Sequence, residues 1–577
     1  MSNGSLINYY EKNLRTIEHV NPKLYKKLLD PKSSPSQNNF FYDFIKSKEG
    51  ELIPAIRDEK GNFRPLHSLV DPYREAKRLL DTIEDEAYLI LLGLGAAYYA
   101  KEALNKNTVT SLLVIDFNLD SIKELLAKMD YSDLFRDKRF FLFIDPDEAE
   151  LETHILSFYK PVLHGGINII PLRSRTSASF DLELFNKATE KIKQSLDRVS
   201  ADYSVQAHFG KRWFSNTIKN LIGMGEKAAP LLPDLKKKRA AVIAAGPSLS
   251  MQIDMLKQKR ESFYIIASDT SLPCLLNEGI KPEIVISIDC QHISYYHFMQ
   301  GLPKESLLFL DLASPPSFAS YSENTFYFSG SHPLSSYICK NFFSFPLLDI
   351  SGGNVTYAAL SLAEMLGAEH IELYGADFSY PKGLSYARGA YIHSFFNKQQ
   401  TRLKALEALY SSFLYRTPVE KIFHSEKYFH SEKIPHEINP VENWYYESST
   451  LRSYRERLEE KSIAIKAEVI AVEGMGAPIR IAAKNKTEKK ENNIPSFTPP
   501  SFSASSFLSD YHNKIKNLDI NKLDNEDMDV FLSLLPSAAA IKRQNPKDNF
   551  EALFEKTKKL CMKTIYRAIN HSHIMEA

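Results

Sequence analysis

The chain has 577 residues, with 72 basic and 71 acidic side chains and a formal net charge of +1. This balance argues against a dedicated nucleic-acid binder, which needs a basic excess to neutralise phosphates. Hydrophobic residues make up 44% of the chain and charged residues 25%, a composition too apolar for a disordered protein. The length predicts about three or four folded units.

Cysteine spacing and the N-terminal sequence indicate a reduced, cytoplasmic protein. The N-terminus lacks the basic and then apolar pattern of a secretory signal peptide. The longest apolar run, residues 87–100, is shorter than the roughly 20 residues that a membrane span needs. No Cys-x-x-Cys pair occurs, so neither a zinc site nor a disulfide framework is predicted for the four cysteines, which are Cys274, Cys290, Cys339 and Cys561.

A first series of strands and helices follows an N-terminal helical or extended segment at residues 1–60. Buried strands are predicted at residues 88–92, 112–115 and 140–144, with helical stretches between them. Asp71 can cap a helix that begins at Pro72. Strands that alternate with helices are typical of parallel α/β sheets, so a Rossmann-like domain is predicted at residues 61–205.

A second alternating series predicts another doubly wound domain at residues 206–395. A helix is expected to begin after residue 354 and to run through residue 366, before the last strand of this series. The predicted strands are residues 240–245, 263–267, 284–288, 307–310, 325–328 and 371–374.

The remaining chain is predicted to be mainly helical. Residues 396–483 are interpreted as a helical insertion or lid that returns to the core, and they contain a duplicated Phe-His-Ser-Glu-Lys at 423–427 and 429–433. The composition of residues 484–506 is typical of a linker. Residues 507–577 are predicted to form a C-terminal helical region. The predicted fold class is therefore α/β, with two Rossmann-like parallel-sheet domains in tandem followed by an α-helical C-terminal region.

Polar residues follow four strands of the second series, and a glycine-bearing turn begins its long helix. In an open parallel sheet such positions meet at the carboxyl edge, which predicts a nucleotide-type site; capping and turn chemistry is the alternative. The turn after the first strand is too short for a Walker A loop, so one phosphate fits it better than a triphosphate. The candidates are Gly246, Pro247, Ser248, Asp269, Thr270, Asp289, Gln291, Ser351, Gly352, Gly353, Asn354 and Asp377.

Taken in order, these motifs resemble the motility-associated factor (Maf) family of bacterial flagellin glycosyltransferases. The resemblance covers roughly residues 60–395. Its central part is similar to bacterial sialyltransferases that use CMP-activated nonulosonic acids. The motifs are His-Ser at 67–68, Asp-Pro-x-Arg-Glu-Ala at 71–76, Ala-Gly-Pro-Ser-Leu at 245–249, Ser-Asp-Thr at 268–270, the segment 282–291 that ends in Asp-Cys-Gln, Ser-Gly-Gly-Asn-Val at 351–355 and Gly-Ala-Asp-Phe at 375–378.

The resemblance implies an inverting transferase that moves a pseudaminic- or legionaminic-type acid from CMP to Ser or Thr of flagellin. Its partners would be flagellin and the CMP-sugar co-substrate, with no further cofactor. It places the cytidine and phosphate among the candidates above, and the leaving phosphate against Tyr386, Arg388 and Tyr391. Burial under a loop is the alternative for both tyrosines. The candidate general bases are His393, Asp289 and Asp377.

Two other motifs are interpreted as structural. Gly-Leu-Gly at 93–95 with Asp116 mimics a dinucleotide or S-adenosylmethionine fingerprint, but Tyr98 replaces the third glycine, which favours a degenerate scaffold. Asp-Pro-Asp at 145–147 has the Asp-x-Asp form of metal-dependent glycosyltransferases, yet it lies in the first domain, where turn chemistry is favoured. No metal site is predicted.

Two other functions remain open at this point. The central domain also resembles an archaeal hydroxymethylpterin diphosphokinase, which would need ATP and Mg²⁺. A third hypothesis is a non-catalytic flagellin-binding protein whose insertion and tail hold a helical partner.

Overall fold

The computed structural model describes residues 9–30, 42–57, 61–83, 87–172, 182–224, 231–236, 238–330, 332–423, 444–481, 503–520 and 525–575. The chain divides into two compact units, residues 1–207 with 545–551 and residues 208–544 with 552–577. Most of the predicted linker and the second copy of the Phe-His-Ser-Glu-Lys repeat lie outside the described residues.

The first unit begins with two helices, α1 (Tyr9–Val20) and α2 (Pro22–Leu29). A three-stranded antiparallel sheet follows, formed by β1 (Asp43–Lys46), β2 (Leu52–Arg57) and β3 (Phe63–Pro65). Helix α2 begins at a proline, and the Asn21 side chain accepts a hydrogen bond from the Leu24 N–H, which is a standard N-terminal cap.

A parallel sheet with the order β6-β5-β4-β7 forms the centre of the first unit. Its inner strands β4 and β5 are almost entirely buried, as expected where helices cover both faces. The predicted strands at 88–92, 112–115 and 140–144 are confirmed, whereas β7 was not predicted. The strands are β4 (Ala87–Leu92), β5 (Val109–Asp116), β6 (Phe140–Ile144) and β7 (Gly166–Pro171), and the helices are α3 (Pro72–Leu80), α4 (Tyr98–Leu104), α5 (Leu119–Lys128), α6 (Ser132–Arg136), α7 (Glu148–Phe158) and α8 (Pro161–His164).

The second unit contains a seven-stranded sheet with the order β12-β11-β10-β9-β8-β13-β17, in which every pairing is parallel. The chain passes from β8 to β12 in one direction and then returns to β13 on the other side of β8. This reversal is the topological switch point at which open α/β sheets bind ligands. The strands are β8 (Arg239–Ile243), β9 (Phe263–Ser268), β10 (Ile284–Ser287), β11 (Leu307–Asp311), β12 (Thr325–Phe328), β13 (His370–Tyr374) and β17 (Glu468–Ala471).

Helices cover both faces of this sheet. The long α9 (Leu182–Met224) enters the second unit, and α10 (Leu249–Gln258), α11 (Leu272–Asn277), α12 (Pro333–Asn341) and α13 (Val355–Met365) connect the strands. Residues 356–363 of α13 are all buried, because this helix lies against β8, β9 and β10. A crossover helix runs antiparallel to its strands, so α13 begins at the carboxyl edge of the sheet.

Residues between β13 and β17 form a smaller layer of their own. They include a three-stranded antiparallel sheet with the order β14-β16-β15. The chain then returns through α16 to β17, which extends the main sheet beside β13. The elements are β14 (Tyr380–Pro381), α14 (Tyr391–Gln399), α15 (Leu406–Leu414), β15 (Glu420–Phe423), β16 (Trp444–Glu447) and α16 (Ser449–Ala464).

Three helices end the chain, α17 (Ala504–Asn517), α18 (Asn525–Gln544) and α19 (Phe550–Met575). Two parallel sheets followed by C-terminal helices confirm the predicted α/β fold class. Among the described residues, no helix combines the length and the hydropathy that a membrane crossing requires.

Candidate functional site

Two carboxylates lie at the carboxyl ends of the neighbouring strands β9 and β10. The Asp269 carboxylate accepts hydrogen bonds from the Thr270 N–H at 2.7 Å and from the Ser287 hydroxyl at 2.5 Å. Asp289 accepts one from the Gln291 N–H at 2.9 Å. Burial raises the pKa of the Asp289 carboxyl, and the negative charge of Asp269 raises it further. The structure therefore brings these predicted residues into one electrostatically coupled group.

Aromatic side chains from two other segments face this carboxylate pair. The ring centroid of Tyr391 lies 4.7 Å from that of His297, and 6.2 Å from those of Tyr296 and Tyr386. Burial raises the pKa of Tyr391, Arg416 lowers it, and the charges of Asp289 and Asp269 raise it. Because the charges of both carboxylates act on Tyr391, its hydroxyl belongs to the same group of polar residues at this edge of the sheet, which we call the carboxylate crevice.

Arg416 supplies positive charge to these tyrosines, and Arg388 follows Tyr386 along the chain. The Arg388 side chain is exposed, and its backbone N–H donates to the Ser250 hydroxyl at 3.0 Å. Arg416 lies 4.0 Å from the ring centroid of Phe413, which in turn contacts Tyr386, and its charge lowers the pKa of both Tyr386 and Tyr391. Sequence reasoning missed Arg416 because it follows α15 of the insertion, where no motif marks it.

The Gly-Pro-Ser turn after β8 holds a carboxylate of the chain itself. The Ser248 N–H donates to Asp377 Oδ2 at 2.8 Å, and its hydroxyl donates to Asp377 Oδ1. A Cβ on Gly246 would overlap Asp377 and the Gly375 carbonyl oxygen. The expectation that this turn receives a ligand phosphate is therefore corrected, because Asp377 already occupies the donors at the start of α10. Pro247 is buried in the same turn.

Asp377 is buried at the switch point and is fully engaged there. Besides Ser248, its carboxylate interacts with the Gly476 N–H, while the Met475 N–H donates to the Ser248 hydroxyl at 2.7 Å. Burial raises the pKa of Asp377 despite these hydrogen bonds. Asp377 thus joins the turn after β8 to the segment 474–476, and we call this set of hydrogen bonds the clasp. Its carboxylate is not free to act as a base. Sequence reasoning missed the segment Gly474 to Gly476, which packs against Ser248 and Asp377. Its two glycines are the only signal that the sequence offers for it.

The second glycine-bearing turn begins α13 at the same edge of the sheet. The Asn354 side chain caps the helix by accepting a hydrogen bond from the Tyr357 N–H at 3.0 Å. The Ser351 hydroxyl is exposed and donates to Asp349 at 2.7 Å. The backbone N–H groups of Gly352 and Asn354 donate to no other described residue, while Gly353, at φ +74°, lies close to Tyr454.

His393 is held by the loop before α14 and by Tyr410 of the insertion. Its Nε2 donates to the Ala387 carbonyl oxygen at 3.1 Å, and its Nδ1 accepts a hydrogen bond from the Tyr410 hydroxyl. A carbonyl oxygen can only accept, so Nε2 carries the proton of a neutral imidazole and the lone pair of Nδ1 is already used. Both ring nitrogens of His393, one of the three candidate bases, are thus engaged within the chain.

The Gly-x-Gly turn of the first unit is filled by His67. The Ala96 N–H donates to His67 Nε2 at 2.9 Å, and a Cβ on Gly95 would overlap this ring. Asp116 is fully buried and accepts hydrogen bonds from the N–H groups of Leu94 and Phe117, both at 2.9 Å. Groups of the chain itself therefore occupy both the turn and the carboxylate, and neither is open to a nucleotide. This agrees with the interpretation of the motif as a degenerate scaffold.

The Asp-Pro-Asp motif of the first unit is a turn between β6 and α7. Asp145 has a φ of 46°, and the Asp147 side chain caps α7 by accepting a hydrogen bond from the Glu150 N–H at 2.7 Å. This is the turn chemistry that the sequence favoured. Among the described residues, no group of three His, Cys, Asp or Glu side chains is arranged to hold a metal ion.

Comparisons with known sequences locate a family model within the second unit. The model described as 6-hydroxymethylpterin diphosphokinase MptE-like matches residues 213–383. Three proteins of Treponema pallidum (strain Nichols), each named only as uncharacterised, match at 35% identity over 142 residues, 34% over 154 residues and 24% over 230 residues. These matches cover 24%, 26% and 38% of this chain, and 66%, 54% and 40% of the relatives' own length.

A solved structure shares the fold over nearly the whole chain. It is the Maf glycosyltransferase from Magnetospirillum magneticum AMB-1, which is 12% identical in sequence and superimposes with a TM-score of 0.54. The superposition covers 97% of this chain and 90% of that one. The resemblance to the Maf family is thus confirmed at the level of the fold, and the chain has the architecture of a Maf glycosyltransferase.

Proposed function

We propose that the chain transfers a nonulosonic acid of pseudaminic or legionaminic type from its CMP-activated donor to Ser or Thr hydroxyls of flagellin. The observation that carries this proposal is the crevice at the carboxyl ends of β9 and β10. There the charges of Asp269 and Asp289 act on Tyr391, and that of Asp269 acts on Tyr386 as well. The Maf glycosyltransferase fold supports the assignment of this crevice to a sugar donor.

The donor phosphate rests on the tyrosine side of the crevice in this proposal. The Gly-Pro-Ser turn is closed by Asp377, so it contributes shape and not phosphate contacts. The hydroxyls of Tyr386 and Tyr391 and the guanidinium of Arg388 are the donors that receive the charge developing on CMP as it leaves. The open backbone N–H groups of Gly352 and Asn354, at the positive end of α13, add to this stabilisation.

The reaction that fits this arrangement is a direct displacement with inversion at the anomeric carbon. The chain holds the donor and the acceptor hydroxyl in line, excludes water by the aromatic wall, and stabilises the leaving phosphate. Asp289 lies at this edge with a pKa raised by burial, while Asp269 accepts hydrogen bonds from the Thr270 N–H and the Ser287 hydroxyl. No cofactor beyond the CMP-sugar is part of this proposal.

A second candidate function is favoured by the family match. The diphosphokinase-like model covers residues 213–383, the segment that contains both carboxylates. Mg²⁺ is often bound by one or two carboxylates together with substrate phosphates, and Asp269 and Asp289 form such a pair. This alternative predicts binding of ATP with Mg²⁺ and a pterin acceptor in the same crevice.

Ligand-induced stabilisation separates the hypotheses. We expect CMP to raise the melting temperature of the full chain, because a ligand that binds only the folded state stabilises it by about 2.7 kcal/mol at 100 times its Kd. Stabilisation by ATP with Mg²⁺ but not by CMP would favour the diphosphokinase, and stabilisation by neither would favour a non-catalytic binding protein. The intact mass of flagellin after incubation with each CMP-nonulosonate then identifies the transferred sugar.

Removal of the Tyr391 hydroxyl tests the placement of the leaving phosphate. Tyr391→Phe is expected to lower the rate of transfer by about 10²-fold, the usual effect of deleting one donor to a developing negative charge. The matched control is Tyr415→Phe, because Tyr415 is exposed and hydrogen bonds only to the Tyr446 hydroxyl in the insertion. Equal rates for Tyr391→Phe and wild type would place the phosphate elsewhere.

A further inference from the structure

A second polar cluster lies at the same sheet edge, at the carboxyl ends of β11 and β12. Asp311 ends β11 and is completely buried. Its Oδ1 accepts a hydrogen bond from the Ala313 N–H at 2.7 Å, and no described residue donates to its Oδ2 with hydrogen-bond geometry. The Nε2 atom of His332 lies 3.8 Å from Asp311 Oδ1. The cluster is therefore a buried carboxylate that faces an imidazole.

This cluster is not arranged for stability alone. The hydroxyls of Ser329 and Ser335 are also buried, and neither has a hydrogen-bond partner among the described residues. A Cβ on Gly330 would overlap Asp311 Oδ2, so this glycine lets the carboxylate approach the backbone. Each buried polar group without a partner destabilises a protein by about 1–3 kcal/mol. A concentration of buried polar groups without partners, at the edge where open α/β sheets bind ligands, is typical of a functional site.

Helix α9 connects this cluster to the carboxylate crevice. Asn216 donates from its amide nitrogen to the carbonyl oxygens of Cys290 and Ala313, at 3.2 and 2.8 Å. These carbonyls belong to the segments that follow β10 and β11, and Cys290 is the neighbour of Asp289. Trp213 lies three residues earlier on the same face of α9, and its ring centroid is 4.3 Å from that of His332. One face of α9 thus contacts His332 through Trp213 and the residue next to Asp289 through Asn216.

We infer that His332 is the general base of the proposed transfer reaction and that Asp311 positions it; this inference rests on the proposed function. Nε2 is the ring nitrogen on the Asp311 side, 3.8 Å from Oδ1, so Nδ1 is the nitrogen left to accept the proton of the acceptor hydroxyl. The His332 side chain is 20% exposed, and no described residue hydrogen bonds to its Nδ1. His393, by contrast, has both ring nitrogens engaged.

The proton and electron balance of the step is complete with these groups. The oxygen of the acceptor Ser or Thr hydroxyl forms a bond to the anomeric carbon of the donor. The bond between this carbon and the phosphate oxygen breaks, and CMP leaves with the electron pair. His332 Nδ1 takes the hydroxyl proton. Burial raises the pKa of Asp311, and the neighbouring His332 lowers it, so the imidazolium that forms and the Asp311 carboxylate stabilise each other.

The first test replaces the base and leaves the donor site intact. His332→Gln is expected to lower kcat by about 10³-fold, within the range for loss of a general base, with little change in the KM of the donor or in stabilisation by CMP. Added imidazole is expected to restore part of the activity of His332→Ala. The control is His370→Gln, an exposed histidine at the opposite edge of the sheet.

A second test addresses the positioning role of Asp311. Asp311→Asn keeps the acceptor for Ala313 and is expected to shift the ascending limb of the kcat–pH profile to lower pH, because the imidazolium loses its anionic partner. Asp311 is the charged group that β11 presents to His332, whereas α9 presents the uncharged Trp213 ring. If the ascending limb of the kcat–pH profile is unchanged in a folded Asp311→Asn variant, the positioning role of Asp311 is overturned.

The remaining outcomes separate this inference from the proposed function. Transfer by His332→Gln at the wild-type rate would overturn the inference and leave the function standing. Loss of CMP stabilisation in His332→Gln, without rescue by imidazole in His332→Ala, would make His332 a binding residue and also overturn it. Absence of transfer by the wild-type chain would overturn both.

Discussion

Acidification from pH 7 to pH 5 is expected to destabilise the first unit by about 6 kcal/mol. Burial lowers the pKa of three histidines there, to about 3 for His67 and about 4 for His154 and His164. An unfolded histidine titrates near 6.5, so between pH 6.5 and pH 4 the unfolded unit binds more protons than the folded one. Stability is therefore complete above pH 6.5 and falls as the pH decreases, by about 2 kcal/mol for each histidine at pH 5.

Hydrogen bonds and burial explain why these histidines stay neutral. His67 accepts a hydrogen bond from the Ala96 N–H, and Nδ1 of His164 accepts one from the Lys160 N–H at 2.9 Å. The Tyr88 hydroxyl lies 2.7 Å from His154 Nε2. A proton on Nε2 of His67 or on Nδ1 of His164 would replace a buried hydrogen bond by two facing donors, which is unfavourable away from water. The Tyr88 hydroxyl could turn and accept from a protonated His154, so burial is what keeps that ring neutral.

Hydrogen exchange can measure this loss within the full chain. Amide protection in peptides from β4 and β5 is expected to fall between pH 7 and pH 5, after correction for the intrinsic exchange rate. His154→Gln, which keeps an acceptor for Tyr88, is expected to recover about 2 kcal/mol of stability at pH 5. His19→Gln, at an exposed position in α1, should recover none. Unchanged protection at pH 5 would contradict the burial of these rings.

Gly246→Ala is expected to destabilise the second unit by about 3 kcal/mol, the upper part of the range for overpacking. The new methyl group would overlap both the Asp377 carboxylate and the Gly375 carbonyl oxygen. Neither can move freely, because Asp377 is bound by the Ser248 N–H and hydroxyl, and the Gly246 N–H donates to the Gly375 carbonyl at 2.9 Å. Relief of the overlap must therefore separate β8 from β13 at their carboxyl ends.

Urea unfolding followed by tryptophan fluorescence measures this change, because the two tryptophans of the chain, Trp213 and Trp444, both belong to the second unit. The matched control is Gly223→Ala. Gly223 lies in α9 with no atom within 4 Å of its Cβ position, so alanine should stabilise the helix by up to about 1 kcal/mol. Equal unfolding midpoints for Gly246→Ala and wild type would show that the turn has room for a ligand.

The sequence was sufficient to predict the strands of the two parallel sheets except β7 and β17, and the edge at which their polar residues meet. Strand ends at residues 268, 287 and 374 follow from short apolar runs that stop at polar residues, and the order of a parallel sheet places those ends together. Asp269 and Asp289 could therefore be predicted to share a site. Their partners Tyr386 and Tyr391 were available only through the family resemblance.

Pairing between distant polar groups could not be predicted in the same way. A Gly-Pro-Ser turn exposes the same donors whether a phosphate or a carboxylate occupies them, and only the fold shows that Asp377 does. His332 carries no motif, since its significance depends on Asp311 and on a tryptophan from α9. Arg416 likewise reaches the crevice from the insertion. These contacts depend on tertiary packing, which local periodicity does not encode.

The clasp around Ser248 also has a kinetic consequence for biosynthesis. The hydrogen bond from Met475 to the Ser248 hydroxyl joins groups 227 positions apart, and β17 completes the sheet only just before it. Proteins dominated by such distant contacts fold slowly, because much chain entropy is lost before the contacts form. A nascent chain that has emerged from the ribosome only as far as β13 thus presents an unfinished, aggregation-prone sheet edge, and cells that make this protein have reason to shield it until the final strand arrives.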